Sequence, residues 1–123
     1  MFHAVRKLRA RIRARKINWN GHPKVRGRRL KKSVRIGQKY GLVVTSTTGG
    51  VHSSTSWHYK GRAVDMASGS AAQMSKAQGD ICRQIGRKHL LELFGPAAAP
   101  TVKNGQFIPG PFPAHGDHIH VAA

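Results

Sequence analysis

One carboxylate constrains this chain more than any other residue. Asp65 stands inside an apolar run, Ala63-Val64-Asp65-Met66-Ala67, seven residues after His58. A charged group in such a run is costly to bury unless a cation or hydrogen-bond donors meet it. The chain has few acids to spare: four Asp and Glu against 22 Lys and Arg, a formal charge of +18 over 123 residues. The cations are unevenly spread. Residues 1–39 hold 15 of them and no acid, whereas residues 40–123 hold seven alongside all four acids. So positive a field attracts polyanions: nucleic acid, an anionic lipid surface, or an anionic cell-wall polymer such as teichoic acid. A solvated basic arm without a specific partner is the plain reading of the same feature.

The length fits one domain, with residues 1–20 as a basic arm or helix and residues 21–123 as the folded unit. Cys82 is the single cysteine, so no internal disulfide can form, and it reads as a small buried thiol. The first residues lack the apolar core of a secretory signal, and no segment is long enough to span a bilayer.

Along the chain, Phe2, Val5, Leu8 and Ile12 predict a short basic amphipathic helix. Residues 24–40 predict a second helix, with Val25, Leu30 and Val34 inward, Ile36 or Tyr40 completing the stripe, and Gly41 as its stop. The β-branched stretch 42–48 and the alternating stretch 62–67 predict strands. Ser68-Gly69-Ser70 supplies a cap for a helix over 71–94, carrying Met74, Ala77, Ile81, Ile85, Leu90 and Leu93 and ending at Gly95. Asn104-Gly105 predicts a tight hairpin, and residues 118–122 predict a closing strand. The sum is an α+β domain with a small antiparallel sheet flanked by helices.

Two constellations carry chemistry. The first is Ser56-Trp57-His58-Tyr59-Lys60-Gly61-Arg62-Ala63-Val64-Asp65; the second is Gly116-Asp117-His118-Ile119-His120-Val121. Imidazole nitrogen and carboxylate oxygen are zinc ligands at about 2.0–2.2 Å from the metal, which brings paired donors within roughly 3–4 Å. Seven extended residues would span about 23 Å, so the chain must turn between His58 and Asp65, and Gly61 permits the turn. His118 and His120, two apart, share one face of a strand. Both can look into one site, so one of them would join His58 and Asp65 on a metal while the other lies beside it. Three protein ligands leave a fourth position for water, the pattern of a catalytic zinc.

The pattern S-x-H-x-x-G-x-A-x-D with a later D-x-x-H or H-x-H resembles the zinc peptidases of the D-Ala-D-Ala carboxypeptidase and phage endolysin group. This is peptidase family M15, whose metal site is shared by lysostaphin-type enzymes and the hedgehog signalling domain. The resemblance covers about residues 24–123 and is complete over residues 56–65. It implies a hedgehog-like fold binding one zinc and cleaving stem or cross-link peptides of bacterial peptidoglycan. It further implies His58, Asp65 and His120 as the zinc ligands, Asp117 as general base, His118 as transition-state stabiliser, and Ser56 as a positioning residue. Many relatives carry an Arg after the first strand; here that place is empty, and His52, Lys60 or Arg62 would have to bind substrate instead. Strand parity points the other way on one role, since Asp117 and His120 face opposite sides of a regular strand while His118 shares a side with His120. Delivery to the wall would come from phage lysis machinery or a virion. The rival expectation is a non-catalytic zinc-containing module, such as a basic virion component bound to nucleic acid or an anionic polymer.

Overall fold

The alternation around Asp65 becomes a strand with two chemically different faces, and the domain is arranged about that difference. A computed structural model describes residues 16–49 and 56–123. The expected helix on Phe2, Val5, Leu8 and Ile12 lies outside the described residues, as does His52. In chain order the elements are α1 (Arg28–Lys39), β1 (Val43–Ser46), a 3-10 helix (Trp57–Lys60), β2 (Ala63–Ala67) and α2 (Ala71–Ile85). A second 3-10 helix (Arg87–His89), β3 (Glu92–Phe94), β4 (Val102–Lys103), β5 (Gln106–Phe107) and β6 (Ile119–Ala122) follow. The strands form one sheet in the order β1-β2-β6-β3-β4-β5, antiparallel at every pairing. The α+β class with a small antiparallel sheet is therefore what the chain adopts.

The last strand is the one that completes the sheet. β6 slots between β2 and β3, with Asp65 opposite His120 on one side and Phe94 opposite His120 on the other. One face of the sheet carries Val44, Val64, Met66, Leu93, Ile119 and Val121, all fully buried. They pack with Leu30 and Val34 of α1 and Met74, Ala77 and Ile81 of α2 in a single core. Each such aliphatic side chain contributes roughly 1.5–3 kcal/mol when fully buried. The residues that alternate with these, Asp65, Glu92, Phe94 and His120, belong to the opposite face.

Local signals hold at several places. Ser70 caps α2, its Oγ accepting from the Gln73 N–H at 3.2 Å. Asn104 and Gly105 both take positive φ, 51° and 73°, in the tight turn joining β4 to β5. Ile17 and Trp19 pack against the core just ahead of α1, and Asn20 Nδ2 donates to the Val44 carbonyl at 3.0 Å.

The long helix expected over 71–94 is a correction. α2 stops at Ile85, because Gly86 turns to φ 87°, where a side chain would be strained. Leu90 and Leu93 are buried as expected, but Leu93 sits on β3, where the period is two. Gly95 is not a helix cap. It lies against the side chain of buried Gln78, which accepts from the Ala97 N–H and donates to the Ala97 and Pro100 carbonyls. Apolar spacing alone continued the helix past Gly86; tertiary pairing of β3 with β6 and β4 ended it.

Candidate metal centre

His58 is set by its own short helix. Ser56 caps that turn, its Oγ accepting from the His58 N–H at 3.2 Å. Gly61 closes it at φ 68°, and its N–H donates to the His58 carbonyl at 3.0 Å. The spacing between His58 and Asp65 thus becomes a histidine, a turn, and a strand that brings the carboxylate back beneath it. β1 carries a bulge between Val44 and Ser46, and just beyond it the Thr47 carbonyl lies 2.5 Å from His58 Nδ1. Bulges of this kind re-aim the chain beside functional groups.

Three donor atoms converge. His58 Nε2 lies 3.2 Å from Asp65 Oδ1 and 3.2 Å from His120 Nδ1, and His120 Nδ1 lies 2.9 Å from Asp65 Oδ1. His58 is 2% exposed and His120 6%, so the triangle is shielded from water on most sides. A tetrahedral ion with ligand bonds of about 2.0–2.1 Å has its donors about 3.3 Å apart. The triangle fits that size within a few tenths of an ångström. Among the described residues, His58, Asp65 and His120 form a group that can hold a metal ion.

Each imidazole is also oriented from behind. With Nδ1–H donating to Thr47, His58 turns the lone pair of Nε2 into the triangle. His120 Nε2–H donates to Glu92 Oε1 at 2.9 Å, which leaves the Nδ1 lone pair for the same point. A metal-ligating histidine commonly gives its second N–H to a carbonyl or carboxylate in this way, fixing ring and tautomer. Phe94 stacks on His120 at 5.4 Å between centroids, and Phe112 stacks on Phe94 at 4.0 Å.

Electrostatics agree with a cation at this point. Burial works to raise the Asp65 carboxyl, but hydrogen bonds from His120 and His58 outweigh it and hold the group far below the ordinary carboxylate range. Burial works to lower His120, but hydrogen bonds with Asp65 and Glu92 outweigh it and push the imidazole up to about 9. Two imidazole lone pairs and a carboxylate oxygen this close require positive charge between them, whether a proton or a metal.

The remaining expected residues are spread around the triangle. Asp117 is 93% exposed at the side chain and precedes β6; its Oδ1 accepts from His118 Nδ1–H at 2.7 Å. The His118 ring lies 4.8 Å from His115, which in turn lies 5.6 Å from His120. Ser56 shapes the turn that holds His58. Arg62 reaches away from the triangle: its Nε donates to the Ala123 carbonyl at 3.2 Å and its guanidinium lies over Trp57 at 5.2 Å.

Glu92 is the residue that sequence reasoning missed, because it was placed inside a helix that does not extend so far. The available signal was rarity: Glu92 is one of four acids, and it stands two residues before Phe94 on a stretch that could alternate. The ring contacts of His115 put it beside His118 and His120. No family model, curated protein or solved structure matches the chain.

Proposed function

We propose that this chain is a zinc-dependent peptidase acting on the stem or cross-link peptides of bacterial peptidoglycan. The observation that carries the reading is the triangle of His58 Nε2, Asp65 Oδ1 and His120 Nδ1 with a backing partner for each imidazole. Two nitrogens and one oxygen, with no thiolate, are the donor set of a hydrolytic rather than a purely structural zinc. The motif of residues 56–65 supplies the substrate class. When bound, zinc would supply Lewis acidity, polarising a scissile carbonyl and acidifying a water.

The chain's own groups then divide the proton work. His118 gives Nδ1–H to Asp117, so its Nε2 carries the available lone pair. His118 stands just ahead of β6, and the ring of His115 lies 4.8 Å from its ring and 5.6 Å from that of His120, which sets it beside the triangle. We therefore assign His118 as the proton acceptor and Asp117 as the group that orients it, the reverse of the roles implied by resemblance. Positioned bases of this kind contribute typically 10²–10⁴-fold.

The test is zinc content followed by mass analysis of digested peptidoglycan. One zinc per chain with released peptides supports the reading; a metal-loaded protein that releases none would make it a non-catalytic module. His118→Ala should keep the metal and lose about 10²-fold or more in kcat, with Asp117→Asn losing less. If Asp117→Asn is the more damaging change, the exposed carboxylate is the base.

A further inference from the structure

The outer face of α1 carries positive charge that nothing else in the described residues answers. Residues 24–39 hold eight Lys and Arg and no acid. Four of them, Arg28, Lys32, Arg35 and Lys39, recur at offsets of four, three and four, which keeps them on one ridge of the helix. Leu30, Val34 and Gly37 repeat on the opposite side and are buried, so the ridge faces away from the core. We infer that this ridge binds the phosphate backbone of duplex nucleic acid, without reading its sequence.

Three observations support the site. Among the described residues, the one Lys or Arg in an ion pair is Arg83, with Asp80, so the ridge has no internal counter-charge. Like charges three and four residues apart on a helix repel, and an apposed row of phosphates relieves that repulsion. Next, Arg35 is half-buried, and its Nε–H is shielded from water with no acceptor. A buried donor left unpaired is costly. Turning this side chain out to a phosphate sacrifices no bond at that atom, and the guanidinium fork matches phosphate oxygens. Finally, the row is straight and held in place. From Arg28 to Lys39 the helix axis rises about 16 Å, and Leu30 and Val34 fix α1 in the core, so the cations are arranged before any ligand arrives.

A duplex suits this row better than other polyanions do. It is stiff and carries one charge per about 1.7 Å of its axis, so a fixed line of cations meets phosphates without either partner being straightened. A flexible polyanion must be ordered first, and that ordering opposes binding. Single strands are held by stacking as well as by charge, but the rings that flank α1 in the chain, Trp19 and Tyr40, pack against the core. A lipid surface takes up an amphipathic helix through its apolar side, and that side of α1 is already buried. The inference is independent of the peptidase reading, and binding is measured without activity, so each can fail alone.

The full chain is titrated into a short labelled DNA duplex at several salt concentrations, followed by fluorescence anisotropy. Wild type is compared with a ridge variant, Arg28→Gln, Lys32→Gln, Arg35→Gln and Lys39→Gln. A matched control removes four exposed cations elsewhere, Lys60→Gln, Lys76→Gln, Lys88→Gln and Lys103→Gln. The cations of residues 1–16 are common to all three proteins, so differences between them report the ridge. Each phosphate contact adds about 0.9 to the slope of log affinity against log salt. The ridge variant should therefore show a slope shallower by about 3–4 and bind about tenfold more weakly or worse, with a clearly smaller change in the control. Should the fourfold variant fold poorly, Arg28→Gln with Lys39→Gln, at the two exposed ends of the helix, should remove about half of that slope. Equal losses in the ridge and control proteins would reduce the effect to the overall field and overturn the site. Tighter binding through the same four residues to single-stranded DNA, polyglycerol phosphate or phosphatidylserine vesicles would overturn the duplex as partner, as would no duplex binding by wild type.

Discussion

At the scale of single residues, placement of the acids is informative. In a chain of +18, three of the four acids, Asp65, Glu92 and Asp117, each contact a histidine of the site, through hydrogen bonds of 2.7–2.9 Å. Were they merely balancing charge, they would stand among the 15 cations of residues 1–39. Glu92 carries the most distinctive consequence. Glu92→Gln can still accept the His120 N–H but loses its charge, and Glu92→Ala loses both. Zinc affinity should fall about 10–100-fold in the alanine variant and less in glutamine, read by competition with a chromogenic chelator. Equal affinity in all three proteins would remove Glu92 from the site. His58→Ala should abolish stoichiometric metal, measured by atomic absorption after dialysis.

At the scale of elements, α1 and α2 are tied by the fourth acid. Asp80 of α2 is buried and accepts from the Tyr40 hydroxyl at 3.0 Å at the end of α1; it also pairs with Arg83. Burial works to raise the Asp80 carboxyl, but hydrogen bonds from Arg83, Gln84 and Tyr40 outweigh it and hold it below the usual carboxylate range. A carboxyl depressed in the folded state adds stability above its unfolded value, near 4, and loses it as pH falls through the lower folded value. Asp80→Asn should therefore cost about 1–3 kcal/mol at pH 7, by loss of charged hydrogen bonds. The gap from wild type should shrink as pH drops below about 4, in denaturant melts. A gap constant across that range would show that Asp80 contributes through shape and not charge. The correction at Gly86 belongs to this scale too. A period of 3.6 and a period of two both place Leu93 inward, so spacing could not decide between helix and strand.

At the scale of the whole molecule, the triangle of His58, Asp65 and His120, which could hold a metal ion, joins the 3-10 turn at residues 57–60, β2 and β6. An ion bound there stabilises only the folded state, since the three donors come together only when β6 is inserted beside β2. With zinc at about 100 times its dissociation constant, the gain is about 2.7 kcal/mol, and chelation should lower the thermal midpoint accordingly. An unchanged midpoint on adding chelator to metal-loaded protein would argue that the triangle is closed by a proton alone. The sequence by itself determined the α+β class, the turn at Gly61, the cap at Ser70 and the hairpin, because these are fixed by neighbours a few residues apart. The carboxylate in an apolar run also singled out Asp65 with His58, and the family resemblance of residues 56–65 and 116–121 added His120. Only the tertiary structure decided the end of α2, the rank of Glu92 and the turning of Arg62 toward Ala123 and away from the triangle. Those three depend on the final strand lying between β2 and β3, and pairing between residues some 25–60 positions apart leaves no periodic trace in the chain.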